Sequence, residues 1–409
     1  MSLRFGSVLL LALASLVSAQ DKPSLVIKVK RLHVGDGTVV EGAALVISGG
    51  KVSSVVGKDV APPAALEVID IAEAELTPGF VEAESRVGML RGDADNEEGR
   101  ETTPWVRAVD GIDKANPGFA ALLRTGVTTA VVLPGDRNVI AGVSCAMKMV
   151  PGAAEVLSEE VAIHAVIGRG PTIRNAAFRG GEATMFTRRP TTRMGVIAEL
   201  RRSFQEAMGR NQPGWEPLYP DREGFALARI GRGEVPVAFV AQDAAEILAA
   251  IRLCKEAGIP RYRIGGTIEA TLVMDDLKAA QISILIGPLF NPGSGPEKGG
   301  AISDPRRLDK AGIAFAISRG NDDTGSTLLD LARAAARGGL DPNKALMSIT
   351  SAPAKVCGLD GRVGTLAVGK DADFCVWSSD PMSPTSRLLV AGIGGRIVWR
   401  ESTASAKKE

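Results

Sequence analysis

The chain has 409 residues, of which 45% are hydrophobic, with 48 basic against 47 acidic side chains and a formal net charge of +1. That length suits one large domain with a smaller satellite. The near-zero charge excludes the electrostatic footprint of a nucleic-acid or anionic-membrane binder.

The first residues have the layout of a secretory signal peptide: Arg4, an apolar run from Val8 to Leu16, then small residues through Val17-Ser18-Ala19. The run is well short of the ~20 residues that cross a bilayer. Cleavage after Ala19 is therefore expected, with no membrane anchor afterwards and a periplasmic or extracellular location. No later segment is long and apolar enough to span a membrane.

Residues 24–75 read as short strands between turns. Ser24-Leu25-Val26-Ile27-Lys28-Val29 precedes the turn Gly35-Asp36-Gly37; Ala44-Leu45-Val46-Ile47 ends at Gly49-Gly50; Val52-Ser53-Ser54-Val55-Val56 follows. From about 76 to 356, short apolar runs alternate with helical stretches. Strands are predicted at 79–81, 128–133, 161–166, 236–240, from 263, and at 282–286 and 313–317. Helices are predicted at 195–208, 244–257 and 327–337. Alternating strands and helices imply parallel βα units, and their number favours a (β/α)8 TIM-type barrel over an open sheet. After 360 the strand pattern returns, with Asp373-Phe374-Cys375-Val376-Trp377, Leu388-Leu389-Val390-Ala391 and Arg396-Ile397-Val398-Trp399. Neither β-rich end can bury a face alone. The expected α/β fold is thus a signal peptide (1–19), a β-sandwich shared by 20–75 and 357–402, a barrel over 76–356, and a disordered tail over 403–409.

The 4 cysteines, Cys145, Cys254, Cys357 and Cys375, lie far apart with no CxxC pair. An exported chain could oxidise them. Cys254 falls on a helical pattern and Cys375 in a strand run, which favours buried free thiols.

Several segments together carry a family resemblance. Leu76-Thr77-Pro78-Gly79-Phe80-Val81-Glu82-Ala83 opens the first barrel strand. Arg107-Ala108-Val109-Asp110, Gly126-Val127-Thr128-Thr129, Leu133-Pro134-Gly135 and Asn138-Val139-Ile140-Ala141-Gly142 surround the second. Thr192-Arg193-Met194-Gly195 opens a helix. Ser351-Ala352-Pro353-Ala354-Lys355 and Gly364-Thr365-Leu366-Ala367-Val368-Gly369-Lys370-Asp371-Ala372-Asp373-Phe374 close the barrel. In order and spacing the chain resembles the amidohydrolase superfamily, most nearly its imidazolonepropionase-like branch. The resemblance implies a metal-dependent hydrolase of non-peptide C–N bonds, in which zinc or another divalent metal polarises a carbonyl and activates water. It also implies ligands at strand ends: His-x-His on strand one, a His each on strands five and six, and an Asp on strand eight.

Those positions are changed. Glu84-Ser85-Arg86 stands for His-x-His, Val240-Ala241-Gln242 for the strand-five motif, Gly265-Gly266-Thr267 for strand six, and Ser318-Arg319-Gly320 for strand eight, with Gly320 at the usual Asp. No lysine lies in 161–168 to serve as a carbamylated bridge. The chain has 2 histidines, His33 and His164, and His33 is too early for the barrel mouth. The family's four imidazoles cannot be assembled.

Glu84, Arg86, His164, Gln242, Arg319 and Asp322 are the candidate pocket residues; none is assigned as catalytic, as a metal ligand or as a cofactor ligand. Arg86 donates but never accepts and would repel a cation. It can pair with Glu84 or another carboxylate, or face the pocket as an anion-binding group. Asp322 and Asp323 read as helix-capping residues or, with Glu82 and Glu84, as oxygen donors to a hard cation. His164, without clustered partners, reads as a satisfied core histidine. The segment 169–193 carries Arg169, Arg174, Arg179, Arg188, Arg189 and Arg193 and reads either as a lid or partner-binding loop or as solvated charge; 291–300 is a second Gly/Pro-rich loop. Two functions stay open. One is a non-catalytic binding or partner subunit, acting on a small ligand, as a homo-oligomer or beside an active relative. The other is a C–N hydrolase with an altered site built on Glu84, Gln242, Asp322 and His164.

Overall fold

The computed structural model describes residues 24–89, 95–97, 99–172, 189–210, 221–287, 289, 303–320 and 325–401. The expected signal peptide (1–19), the expected tail (403–409) and Asp322 and Asp323 lie outside the described residues, as do 291–300 and most of the arginine-rich segment.

Two eight-stranded sheets organise the rest. The first takes strands from both chain ends: β1 (Leu25–His33), β2 (Val39–Glu41), β3 (Ala44–Ser48), β4 (Lys51–Val56) and β5 (Glu67–Pro78) from the front. The second holds β6 (Phe80–Ser85), β7 (Val127–Val132), β8 (Ile140–Lys148), β9 (Glu155–Val166), β10 (Val237–Val240), β11 (Tyr262–Thr267), β12 (Ile284–Ile286) and β13 (Phe315–Ile317). The first sheet is completed by β14 (Phe374–Trp377), β15 (Leu388–Ile393) and β16 (Arg396–Arg400).

The expected β-sandwich is instead one continuous sheet, in the order β16-β15-β14-β5-β1-β3-β4 with β2 beside β1. The joint between front and back strands is an antiparallel ladder of β14 on β5, with Phe374 opposite Pro78 and Trp377 opposite Glu75. The ladder pairs main-chain donors and acceptors that β5 and β14 would leave open as edges of two separate sheets.

The barrel expectation holds in its coarser form, as an eight-stranded sheet that curls. The fold is mixed α/β with a curled, mostly parallel sheet, but β8 runs antiparallel to both neighbours. The sequence treats the start of this segment as a loop because Gly142 and Ser144 interrupt it. The structure buries all of Ile140–Lys148, and Gly142 adopts φ 127°. A Cβ there would meet the Val106 carbonyl oxygen at 2.3 Å, so glycine is what lets the two backbones touch. The curl is bridged between β13 and β6 by the chain at 348–349. Ile317 N–H donates to the Ser348 carbonyl (2.8 Å) and Val81 N–H to the Ile349 carbonyl (2.9 Å).

Helices cover the outer face. Thr327 and Asp330 form a reciprocal capping box at the start of Leu328–Arg337. Asp243 caps Ala244–Ala257, which ends at the left-handed Gly258. These helices pack on a continuous apolar cluster that includes Phe204, Phe239, Leu253 and Leu331. A separate cluster fills the inside of the curl. There Val131, Ala162, Ala238, Leu285 and Ala316 meet Ala354, Cys357, Leu359 and Val363, which plug the N-terminal end of the strands. That plug leaves the C-terminal strand ends as the place where polar groups converge, as barrels of this type require.

The two sheets are held together at a few buried contacts. Phe80 at the start of β6 stacks on Trp377 of β14 with centroids 5.5 Å apart. The Trp377 indole donates to Thr77 Oγ1 at 3.0 Å. Lys148, at the end of β8 and nearly sealed from water, bridges Asp371 (2.8 Å) and Asp373 (2.6 Å). All four cysteines are free and buried.

Candidate functional site

Strand β6 projects alternate residues inward. Glu82 and Glu84 therefore share the inside face, and both are buried. Glu82 is held by three donors: the Ser318 hydroxyl (2.8 Å), the Glu84 N–H (3.1 Å) and the Arg319 N–H (3.3 Å). Burial nevertheless pushes its carboxyl up to about 7, against the opposing pull of those bonds and of the Arg319 charge. Glu84 is likewise pushed up to about 7, first by burial and then by the Glu82 charge, with Ser318, the Gly266 N–H and the Arg263 charge opposing. The Gly266 N–H donates to Glu84 Oε2 at 3.3 Å. Glu84 lies flat against Gly265 of β11, where a Cβ would come within 2.2 Å of Oε1. The Gly265-Gly266 pair thus makes the space that Glu84 fills.

Arg86 does not pair with Glu84. Its two terminal nitrogens reach Asp95 (2.8 Å) and Asp136 (2.7 Å) instead. Asp136 follows β7 and accepts a further bond from His164 Nε2 at 2.9 Å. Burial alone would raise the Asp136 carboxyl, but the His164 hydrogen bond and the Arg86 charge hold it down at about 2. His164 is fully enclosed on β9. An arginine, two aspartates and a histidine therefore satisfy one another across β6, β7 and β9.

Gln242 stands at the rim after β10; its main-chain N–H donates to Glu246 (2.8 Å). Arg319 contributes its main-chain N–H to Glu82, while its own Nε is buried without a partner. A cavity of about 100 Å3 opens among these groups, lined by Glu84, Arg86, Asp136, Gln242 and the backbones of Gly266, Gly287 and Gly320. A larger cavity of about 680 Å3 sits at the opposite end, between the strand starts and the plug at 355–359. Of these two cavities the small one carries the buried Glu84 carboxylate together with that of Asp136, which makes it the candidate site.

Of the sequence-predicted residues, Glu84, Arg86 and Gln242 line this cavity. His164 stands behind it through Asp136, Arg319 lies off the cavity with its main-chain N–H on Glu82, and Asp322 is outside the described residues. Asp136, Asp95 and Ser318 were not singled out. Asp136 follows Leu133-Pro134-Gly135, so its place at a strand end was a usable signal.

A metal of the kind the family uses does not fit this donor set. Among the described residues no group of three or more His, Cys, Asp and Glu side chains could hold a metal ion. Arg86 puts a guanidinium where the second strand-one ligand would stand, and it is already bound to Asp95 and Asp136.

Comparison with known proteins agrees with the fold. The sequence model of the Amidohydrolase family matches residues 301–397. A crystal structure of an amidohydrolase from Thermotoga maritima superposes with a TM-score of 0.81 at 26% identity, covering 92% of this chain and 100% of that one. The zinc-bound adenosine deaminase from Xanthomonas campestris shares the fold alone, with a TM-score of 0.57 at 16% identity over 92% and 93% of the two chains. The chain is thus similar to amidohydrolases in sequence and in fold. Among curated relatives it is 28% identical to amidohydrolase tasK of Hapsidospora irregularis over 372 residues, 82% of this chain and 37% of that protein. It is 30% identical to imidazolonepropionase of Shewanella frigidimarina over 170 residues, 38% and 34% of the two chains. The chain therefore spans little more than a third of either relative.

Proposed function

We propose that this amidohydrolase-family protein is a non-catalytic binding or partner subunit, exported, with its hydrolytic metal centre converted into a self-satisfied polar site. The observation that carries this is the Arg86–Asp136 contact at 2.7 Å, with His164 on the other Asp136 oxygen at 2.9 Å. Two of the carboxylates at the site, Asp95 and Asp136, are neutralised by the chain's own arginine. What remains is a small cavity able to hold a ligand without activating water.

Elemental analysis of the purified protein, with a chelator challenge and an amide and ester hydrolysis panel, tests this. The expected result is no tightly held metal near one equivalent and no chelator-sensitive turnover. Stoichiometric zinc whose removal abolishes hydrolysis would overturn it. A hydrolase with an altered site is the second reading, favoured by Glu82 and Glu84, whose carboxyls near 7 suit general acid–base work. It requires turnover that survives the chelator and falls in Glu84→Gln. Assembly with an active relative is tested by co-purification from the native host; recovery of the protein alone counts against it.

A further inference from the structure

We propose that the cavity at the C-terminal strand ends takes a small organic cation of the ammonium or amidinium class, held by the Glu84 carboxylate with Gln242 at its rim. The inference rests on the binding reading above and adds the chemistry of the ligand.

The cavity wall argues for a cation in three ways. Both terminal nitrogens of Arg86 are engaged by Asp95 and Asp136, so one guanidinium serves two carboxylates. That side offers an anionic ligand little. Gly266, Gly287 and Gly320 contribute backbone only, and Glu84 is the ionisable side chain of the wall beyond that network. The remaining cations near Glu84 act from a distance. Arg263, two residues before Gly265 on β11, has Nε and Nη2 sealed from water with no partner. Arg319 Nε is sealed in the same way. Their charge reaches the glutamates through space, and a ligand entering the cavity does not meet those atoms. Cys357 lies beneath, its thiol raised by burial, and adds no charge.

Size narrows the class. An apolar cavity of ~150 Å3 holds benzene; one of about 100 Å3 suits roughly four non-hydrogen atoms. Guanidinium and methylammonium are of that scale. Binding is linked to protons, because a cation and a proton compete for Glu84. With its carboxyl near 7, affinity rises about tenfold from pH 6 to pH 8 and then levels off. Glu82 is the coupled neighbour, but Ser318 and the Arg319 N–H already hold it.

Calorimetric titration of the full chain with millimolar guanidinium tests this, with isosteric neutral urea and anionic acetate as comparisons, at pH 6 and pH 8. Guanidinium is expected to bind, with the pH dependence above, and urea and acetate to show neither. Glu84→Gln is expected to weaken guanidinium at least tenfold at pH 8 and to flatten the profile. Equal binding of urea, a flat profile in the wild type, or an unchanged Glu84→Gln titration overturns the proposal. If that variant does not fold, wild-type titrations in two buffers of different ionisation enthalpy decide. Release of close to one proton per guanidinium at pH 6 supports the proposal and no release overturns it. Zinc with hydrolysis would sink the binding reading whatever these titrations show. Metal-free protein that ignores guanidinium sinks this inference alone.

Discussion

Arg86 and Asp136 lie 2.7 Å apart at the C-terminal ends of β6 and β7, and this pair decides the character of the candidate site. It places a permanent positive charge in the strand-one position and holds the Asp136 carboxylate ionised down to about pH 2. The pair is also a structural element, because Asp95 and His164 depend on it for their partners.

Removing the guanidinium should therefore destabilise the protein. Arg86→Met leaves Asp136 and Asp95 partly buried without their cation, a loss of about 1–3 kcal/mol. Adding Asp136→Asn to it should recover part of that loss, since the uncompensated charge disappears. Urea denaturation of the two single variants and the double variant measures both effects. Additive losses would mean that the two groups do not interact.

The pH dependence of stability has a defined sign. Glu82 and Glu84 carry folded-state pKa values near 7, above their ordinary 4.5. The folded state therefore binds their protons more tightly than the unfolded state does. Their contribution is fully present below about pH 4.5 and is lost as pH rises through 7. Glu84→Gln should be more stable than wild type at pH 8 by roughly 1–3 kcal/mol, and close to wild type at pH 4.5. Thermal melts across that range test it. A constant difference at all pH values would contradict it. Asp136, held low, has the opposite sign: its contribution is present above the ordinary aspartate range and is lost as pH falls toward 2.

Gly265 should not tolerate a side chain. A Cβ there would sit 2.2 Å from Glu84 Oε1. Gly265→Ala must displace the carboxylate or the strand, at a cost of about 1–3 kcal/mol. The companion Gly265→Ala/Glu84→Ala should lose less than the sum of its parts, measured by denaturant midpoints.

Lys148→Met should weaken the attachment of the end-strand sheet to the curled sheet. It leaves Asp373 without its cation in a buried joint, where breaking such a pair costs about 3–5 kcal/mol, while Asp371 keeps Arg362 (2.8 Å) and Lys51 (3.2 Å). Limited proteolysis should then cut near the β14 end before the barrel core is lost. Proteolysis that keeps the wild-type pattern would show that the Phe80–Trp377 stack holds the joint without Lys148.

Some of this was legible in the residues themselves. Alternating apolar runs marked β9, β10, β12 and β13 because buried parallel strands are continuous apolar stretches. The helix Ala244–Ala257 was marked by its 3.6-residue spacing. Ile140–Lys148 was missed because its Gly and Ser content matches a loop; its strand character comes from neighbours on both sides. The single end-strand sheet was missed for a related reason. Sequence marks Phe374–Trp377 as a strand and 24–75 as β-rich, but neither the strand Glu67–Pro78 nor the meeting of its edge with Phe374–Trp377 is legible there.

The loss of the histidines was complete in the sequence, because a count of 2 cannot supply four imidazoles anywhere in a fold. Composition limits what any arrangement can build, and that limit needs no coordinates. Which carboxylates Arg86 would choose was a different matter. Glu84 is its near neighbour in sequence, yet on a strand both point inward at successive levels and the guanidinium extends past it. Asp95 and Asp136 are brought to it by the chain after β6 and the end of β7, and the parallel pairing of β6 with β7 sets those ends side by side. The same packing sealed Glu82 and Glu84 away from water and raised their carboxyls, since desolvation is a property of the surroundings and not of the residue.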